Sequence, residues 1–360
     1  MHLSHPSIPD RDGGDASVAS STSITCRVVR NERDRFHLLP LAPSDHDPQT
    51  EPWPAILAGR WRHQHPDPGD QPVVGDLVIA TAGPTAVIHQ LLPRRNVLQR
   101  VAAGSSPYVQ VLAANLDYLL VMCGLDEDFN PRRLERYLVL AASSGISPVI
   151  VLTKADLVPD PGPILASLAT LDRQVPVLAI SARTGTGLEK LQPFLQPGHL
   201  LAVVGSSGAG KSTLINRLAG TTDLATGAVR DHDSRGRHTT TARQLVHLPG
   251  GAAIIDTPGL REIQFLADDD TVAGTFDDIA DLSRACRFRD CRHQDEPGCA
   301  VKAAIDDDRL DPDRLTNLIK MSKESQRAER KIANLARRAK TARERRHRQT
   351  GREDWHEDDG

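Results

Sequence analysis

The chain has 360 residues, enough for two or three domains, and its formal net charge is −3 at pH 7. That balance excludes a uniformly basic nucleic-acid-binding protein, so any contact with RNA must use local basic patches. Aromatic residues make up 3% of the chain, too few for a platform that stacks single-stranded bases. No apolar run approaches the length of a membrane span and no signal peptide is found, so we expect a cytoplasmic protein without a membrane partner.

The first part of the chain predicts a disordered segment followed by a small β domain. Residues 1–23 are rich in Ser, Asp, Gly and Pro and have no hydrophobic periodicity. Residues 24–105 contain several short β-type segments separated by turn residues, which indicates a small barrel, and residues 55–61 are a candidate strand in it. Scattered arginines here are either a solvated surface or contacts to RNA phosphates: Arg60, Arg62, Arg94, Arg95 and Arg100.

Residues 106–265 alternate between strand and helix patterns. Buried strands are predicted at 116–122, 147–152 and 175–180, and a helix at 131–142 begins with Pro131. Strands that alternate with helices form a parallel sheet covered on both faces. The sequence therefore predicts an α/β domain in the middle of the chain.

A glycine-rich segment follows an apolar run at residues 200–204 and precedes a helical pattern. Its spacing is Gly-x-x-x-x-Gly-Lys-Ser, the pattern of a loop whose backbone N–H groups surround phosphates. Lys211 would reach the β and γ phosphates, and Ser212 would hold Mg²⁺. A plain Gly/Ser turn is the alternative, but it does not require this spacing. The candidate phosphate-binding residues are Gly205, Ser206, Ser207, Gly208, Ala209, Gly210, Lys211, Ser212 and Thr213.

Two segments upstream point to guanine as the base. Thr153, Lys154, Ala155 and Asp156 end a predicted strand, where the carboxylate can accept hydrogen bonds from N1–H and N2–H2 of guanine and the lysine stem can cover the ring. Ser181, Ala182 and Arg183 follow another strand and would close the pocket with backbone amides. The first position of this motif is usually Asn, and we expect Thr153 to cost about 1 kcal/mol of binding without changing the base preference.

Downstream segments predict the rest of a GTPase site. Asp256 and Gly259 follow an apolar strand, where Asp256 suits Mg²⁺ and the amide of Gly259 suits a γ phosphate. The polar segment 231–241 has the character of a switch that orders around the γ phosphate, and one of Thr239, Thr240 and Thr241 would bind Mg²⁺, with Thr240 taken as the candidate.

Two residues, Leu260 and His238, bear on how the attacking water would be oriented. Leu260 stands where many GTPases place a water-orienting Gln, so intrinsic hydrolysis is expected to be slow. His238 is a candidate for orienting water, and the alternative is a loop histidine that only helps to order the segment.

The order of these motifs is unusual, because the base-reading segments precede the phosphate loop. In an ordinary GTPase the phosphate loop comes first. A sheet can be opened at a different loop when the old termini are joined and the new ones lie on the surface. The order therefore predicts a circularly permuted GTPase.

Three of the five cysteines lie in one short cluster near the end of the chain. Cys286, Cys291, His293 and Cys299 supply three thiolates and one imidazole within fourteen positions. Four such ligands can close a tetrahedron around Zn²⁺ and leave no open position, which predicts one structural zinc ion per chain. Buried cysteines without a metal are the alternative.

Beyond residue 311 the pattern is helical and lopsided in charge. Twelve Lys and Arg residues between 320 and 348 are opposed by three Glu residues, which favours contact with RNA over a merely solvated face. Residues 351–360 turn acidic and are expected to be disordered.

The permuted motifs, the Gly-Arg-His-Thr-Thr-Thr segment at 236–241 and the Cys/His cluster together resemble the ribosome small subunit-dependent GTPase A family, also called RsgA or YjeQ. The resemblance implies an N-terminal OB-fold that touches 16S rRNA, hydrolysis of GTP to GDP and phosphate, and activation by the 30S subunit during its late maturation. An aliphatic residue at position 260 also fits this family. We expect a monomer.

The resulting prediction has five segments: a disordered 1–23, an OB-like barrel at 24–105, a permuted GTPase domain at 106–265, a zinc-binding helical domain at 266–350 and an acidic tail at 351–360. Two functional alternatives keep the nucleotide site but change its use: a P-loop GTPase acting on another RNA or protein, and a nucleotide-regulated RNA-binding protein with little turnover. A metabolic P-loop kinase or ATPase is disfavoured by Asp156.

Overall fold

The computed structural model describes residues 23–32, 34–41, 51–65, 68–101, 109–169, 171, 174–221, 243–256 and 267–353. The predicted disorder of residues 1–22 and 354–360 falls outside these ranges. Ser23 begins the first strand, and residues 351–353, which we predicted to be part of the acidic tail, lie in the last helix.

The N-terminal part is a closed five-stranded barrel. Its strands are β1 (Ser23–Glu32), β2 (Arg35–Pro40), β3 (Trp53–Leu57), β4 (Leu77–Thr81) and β5 (Ala86–Leu91). They follow the order β1-β2-β3-β5-β4, and β4 pairs back onto β1, which closes the barrel. Alternate residues such as Val28, Leu38 and Ile88 point inward and are fully buried. The OB-like barrel predicted from the sequence is confirmed.

One strand prediction in the barrel is wrong in its second half. We expected a strand over residues 55–61, but β3 ends at Leu57 and a short helix, α1 (Gly59–Gln64), follows. The helix turns the Trp61 ring into the barrel core, where it is 5% exposed. Burial of that ring outweighs the β preference of the isolated segment.

The central domain is built on a sheet with the order β10-β9-β8-β11-β13-β12. Its strands are β8 (Tyr118–Gly124), β9 (Ser147–Thr153), β10 (Val177–Ala179), β11 (Leu200–Gly205), β12 (Arg243–His247) and β13 (Ala253–Asp256). The helices between them are α2 (Pro131–Ser144), α3 (Gly162–Ala169) and α4 (Lys211–Ala219). Asn130 caps α2 by accepting from the N–H of Arg133, and Gly145 ends it in the left-handed conformation.

Side chains of β11 show that both faces of this sheet are covered. Leu200, Ala202 and Val204 belong to the core cluster that includes α2, whereas Leu201 and Val203 belong to the cluster that includes α4. All six residues of the strand are buried. A continuous apolar run is what a strand with helices on both sides requires.

The sequence predicted a parallel sheet, but the observed sheet is mixed. Five of its strands are parallel, but β12 runs antiparallel to β13 and then pairs with β1 of the barrel, through Asn31 and Arg243. The barrel and the central sheet therefore form one hydrogen-bonded sheet of eleven strands.

A β-hairpin joins the barrel to the central domain. Its strands, β6 (Val97–Val101) and β7 (Val109–Ala114), lie on either side of the predicted boundary at 105/106. Gly75 of the barrel approaches this hairpin so closely that a Cβ atom there would lie 2.1 Å from the carbonyl oxygen of Ala114. Beside it, fully buried Asp76 accepts two hydrogen bonds of 2.8 Å from Arg94. Arg94, which the sequence offered as a candidate for RNA contact, is instead paired with Asp76 beside this hairpin.

The C-terminal helices do not form an independent core. They are α5 (Asp269–Gly274), α6 (Asp277–Ser283), α7 (Ala300–Asp306) and α8 (Pro312–Glu353). Phe276, Val301 and Met321 are buried in the same cluster as Leu134 and Leu138 of α2. A buried polar network ties the two parts together, because Arg314 of α8 donates to Glu135 of α2 at 2.9 Å and to Asp278 at 2.7 Å. This unit is thus held against the face of the sheet that α2 covers.

Within the described residues, no helix combines the length and the apolar character that crossing a membrane requires.

Candidate functional site

The base-reading motif and the phosphate loop, more than fifty positions apart in the chain, meet at the carboxyl edge of the sheet. The hydroxyl of Thr153 donates a hydrogen bond of 2.8 Å to the carbonyl oxygen of Ala209. Thr153 ends β9 and is 2% exposed, while Ala209 lies in the loop between β11 and α4. The carboxyl edge of parallel strands is where α/β proteins bind nucleotides.

The phosphate loop has the backbone conformation that its glycines allow. Gly208 and Gly210 have φ of +83°, and a Cβ atom on Gly205 would lie 2.4 Å from the carbonyl oxygen of Met122 on β8. Lys211 folds back over the loop and donates to the carbonyl oxygens of Gly205 at 2.8 Å and Ser206 at 2.5 Å. Ser207, Ser212 and Thr213 lie on the loop and the first turn of α4, whose N-terminus carries the positive end of the helix dipole.

Asp156 follows Thr153 by three residues, beyond the carboxyl end of β9. Its Oδ1 accepts from the hydroxyl of Ser181 at 2.5 Å, and its Oδ2 accepts from Nη2 of Arg183 at 2.5 Å. The N–H of Ala155 bonds to Ile180, which ties the motif to the end of β10, and Ala182 packs partly buried beside it. The hydrogen bonds from Ser181 and then Arg183 lower the pKa of Asp156 and outweigh the opposing effect of burial. A depressed pKa keeps the carboxylate ionised, as an acceptor, at neutral pH.

A loop that the sequence analysis did not single out contacts both motifs. It follows β8 and contains Asp126, which forms an ion pair with Lys154, and Asp128, which accepts a hydrogen bond from the hydroxyl of Ser206. Arg133 of α2 donates to Asp128 at 2.7 Å. Burial raises the pKa of Asp128, but the hydrogen bonds from Ser206 and Arg133 outweigh it and lower the pKa below its usual value. The acidic run at 126–128, directly after a buried strand, was the available signal.

The remaining predicted site residues fall in two groups. Asp256 ends β13 and is in register with Val203 of the neighbouring β11, two residues before the phosphate loop begins. Gly259, Leu260, His238 and the threonines 239–241 lie outside the described residues.

A second site lies in the C-terminal helical unit. The ligand atoms of Cys286, Cys291, His293 and Cys299 all lie within 4.8 Å of one another, as the sequence predicted, so the cluster could hold a metal ion. The Nδ1 atom of His293 lies 3.4 Å from the sulfur of Cys299 and 3.7 Å from that of Cys286. Its other ring nitrogen, Nε2, lies 3.1 Å from the hydroxyl of Ser283, which fixes the orientation of the imidazole.

The surroundings of Cys286 favour the thiolate, whereas those of Cys291 favour the protonated thiol. Burial raises the pKa of Cys286, but the backbone N–H groups of Val301 and Ala300, at the start of α7, outweigh it and lower the pKa. Burial, together with the neighbouring thiols of Cys299 and Cys286, raises the pKa of Cys291 to about 11. A bound cation would reverse this, because a coordinating thiol loses its proton.

Topology and site together define a class of protein. A phosphate loop joined to a base-reading strand that comes earlier in the chain, on a sheet of mainly parallel strands, is the arrangement of a circularly permuted P-loop GTPase.

Comparison with known proteins agrees with this class. The family model described as RsgA GTPase matches residues 91–266. The chain is 47% identical over 274 residues to the small ribosomal subunit biogenesis GTPase RsgA of Xanthomonas oryzae pv. oryzae (strain MAFF 311018), covering 76% of this chain and 75% of the relative. The protein of the same name from Xylella fastidiosa (strain M12) is 50% identical over 265 residues, which cover 73% and 79% of the two chains. The chain belongs to the RsgA GTPase family.

Solved structures show the same fold. The crystal structure of YjeQ from Thermotoga maritima superimposes with a TM-score of 0.61 at 27% identity, over 85% of this chain and 99% of that one. YloQ, described as a circularly permuted GTPase, superimposes with a TM-score of 0.59 at 23% identity, over 86% and 97% of the chains, and supports the fold alone.

A family model described as ABC transporter also matches, over residues 188–346. The two family matches overlap in the segment that holds the phosphate loop, which many P-loop proteins share. The base-reading residues 153–156 and 181–183 lie before this second match.

Proposed function

We propose that this chain hydrolyses GTP to GDP and phosphate, and that the small ribosomal subunit stimulates this activity during the subunit's late maturation. The observation that carries the nucleotide part is the hydrogen bond from Thr153 to Ala209, which brings the base-reading and phosphate-binding motifs to one site. The ribosomal part is supported by relatives named small ribosomal subunit biogenesis GTPase at 47–50% identity.

Each residue has a role that its chemistry supports. Asp156 accepts the N1–H and N2–H2 donors of guanine, and Lys154 covers the ring with its methylene stem. The backbone of residues 205–210 surrounds the phosphates, with Lys211 on the β and γ groups. When bound, Mg²⁺ offsets the charge that develops on the phosphates, and the residues that would hold it are Ser212, Asp256 and one switch threonine, for which Thr240 is the candidate. Gly259 would donate its amide to the γ phosphate, and His238 would orient the water.

We assign zinc to the Cys/His cluster. Zn–S bonds of 2.3 Å in a tetrahedron place two sulfurs about 3.8 Å apart and a sulfur and a nitrogen about 3.6 Å apart. The corresponding distances are 3.9 Å between Cys286 and Cys299, and 3.7 and 3.4 Å from their sulfurs to Nδ1 of His293. All four positions are filled by the protein, so the ion would be structural and would hold together the loop between α6 and α7.

The surfaces that support a ribosomal RNA partner are the barrel and the outer part of α8. Exposed cations on α8 project away from the buried residues Met321 and Ser325, and they can neutralise RNA phosphates. They are Lys320, Lys323, Arg327, Arg330, Lys331 and Arg337. On the barrel side, Arg60 is exposed and Arg95 has a side chain that is 62% exposed even though it pairs with Asp117.

The decisive experiment measures GTP turnover by the full chain with and without purified 30S subunits, with Lys211→Ala as the control. We expect turnover to rise on addition of 30S subunits and to be lost in the variant under both conditions. Turnover that 30S subunits leave unchanged would overturn the ribosomal role and keep the nucleotide site. Competition by ATP as effective as that by GTP would overturn the guanine assignment.

A further inference from the structure

We propose that Asp126 and Asp128, in the loop between β8 and α2, are positioning residues for the nucleotide: Asp126 orients Lys154 over the base, and Asp128 holds the phosphate loop in place through Ser206. The inference rests on the proposed GTP site and adds to it a third segment, which carries neither of the two binding motifs.

On the base side, the contact is an ion pair between Asp126 and the ammonium group of Lys154. Lys154 has φ of +58°, a left-handed conformation that a non-glycine residue rarely adopts, so the backbone already fixes where its side chain starts. The ion pair fixes the other end. A lysine held at both ends presents its methylene stem as a flat apolar surface, which is the part that covers a purine ring.

On the phosphate side, Asp128 accepts from the hydroxyl of Ser206 and is itself held by Arg133 at 2.7 Å. The carbonyl oxygen of Ser206 accepts from Nζ of Lys211. Asp128 therefore fixes Ser206, the loop residue whose carbonyl oxygen accepts a hydrogen bond from Lys211. Arg133 offsets the negative charge of Asp128, so that the carboxylate can lie next to an anion site.

The two contacts make different predictions for ligands of different length. Lys154 faces the base and ribose half of a nucleotide, which GMP and GDP share. Lys211 reaches the β and γ phosphates, of which GMP has neither. Loss of the Asp126 contact should lower the affinities for GMP and GDP by the same factor. Loss of the Asp128 contact should lower the affinity for GDP alone.

The experiment uses the full chain and competition of GDP and GMP against fluorescent mant-GDP. In Asp128→Asn we expect GDP to bind about fivefold more weakly, because the amide oxygen still accepts from Ser206 but the hydrogen bond loses its charge and about half of its strength, with GMP unchanged. In Asp126→Asn we expect GDP and GMP to weaken by equal factors. Glu127→Gln is the matched control, since it removes the same charge from an exposed side chain between the two and should change neither affinity.

Ser206→Ala removes the other partner of the Asp128 contact and keeps every charge. It should weaken GDP binding at least as much as Asp128→Asn does and leave GMP unchanged, and the double variant should be no worse than Ser206→Ala alone, because Asp128 acts on the loop through this contact. If Asp128→Asn does not fold, Ser206→Ala alone decides.

Tighter GDP binding in Asp128→Asn, or equal losses for GDP and GMP, would overturn the phosphate-side role. A loss confined to GDP in Asp126→Asn would overturn the base-side role. A wild-type chain that binds no GDP would instead refute the nucleotide site itself, which separates the two failures.

Discussion

Thr153 donates its hydroxyl to the carbonyl oxygen of Ala209 at 2.8 Å, and this bond joins the end of β9, where the proposed base-reading motif begins, to the proposed phosphate loop. Both residues are buried, Thr153 at 2% and Ala209 at 1% exposure. Asn is usual at this position of the motif, and the threonine hydroxyl supplies a donor in its place. A bond between two segments of one site couples their positions, so its loss should affect the whole nucleotide.

Thr153→Val keeps the shape of the side chain and removes the donor. We expect GDP affinity to fall by about 1 kcal/mol, or roughly fivefold, since one buried acceptor is left without its partner. The preference for GDP over ADP should not change, because Asp156 is untouched. Titration of both nucleotides by calorimetry measures this, with Thr316→Val on the exposed face of α8 as the control. A changed base preference would assign Thr153 to the base instead of the loop.

Arg314→Met should detach the C-terminal helices from the central sheet. The guanidinium is 4% exposed and pairs with Glu135, which is 1% exposed, so the substitution leaves a buried carboxylate with fewer partners. We expect a loss of about 3 kcal/mol in the free energy of unfolding of this unit, measured in urea. Arg284→Met breaks an exposed pair with Asp281 and should cost less than about 0.5 kcal/mol. Equal effects of the two substitutions would show that the buried network does not hold the interface.

Cys299→Ser tests the metal site. Cys299 is both a proposed zinc ligand and the N-cap of α7, where its sulfur accepts from the N–H of Lys302. We expect the zinc content to fall from one ion per chain to nearly none, with a loss of helical circular dichroism. The control is Cys26→Ala, which removes a buried cysteine of the barrel; this variant should keep one zinc ion per chain. Removal of zinc by a chelator without any loss of structure in this region would contradict a structural role.

His238→Ala tests the residue proposed to orient water. Stimulated GTP turnover in the presence of 30S subunits should fall about 100-fold, the scale of one general acid–base group, while GTP affinity stays the same. Single-turnover kinetics separate the two. Full stimulated turnover in the variant would leave His238 with a role in ordering the switch segment only.

Local patterns in the sequence determined the class of this protein. The Gly-x-x-x-x-Gly-Lys-Ser spacing, the Thr-Lys-Ala-Asp segment and the Cys/His cluster each depend on residue types at fixed short separations, and their reversed order was enough to predict the permutation. Short-range spacing is set by turns and helix starts, which a few residues encode. A small barrel was likewise predicted from strand-length segments between turns, and its OB-like character from the family resemblance.

Only the tertiary structure decided which distant residues share a contact. The sequence analysis did not single out Asp126 and Asp128, and it left Arg94 open between a solvated surface and an RNA contact; only the placement of the strands shows their partners. The antiparallel β12 and its pairing with β1 also had no local signal, since a short strand is stabilised by its neighbours and not by its own sequence. Contacts between segments far apart in the chain depend on how whole elements pack, and that information is distributed over the entire fold.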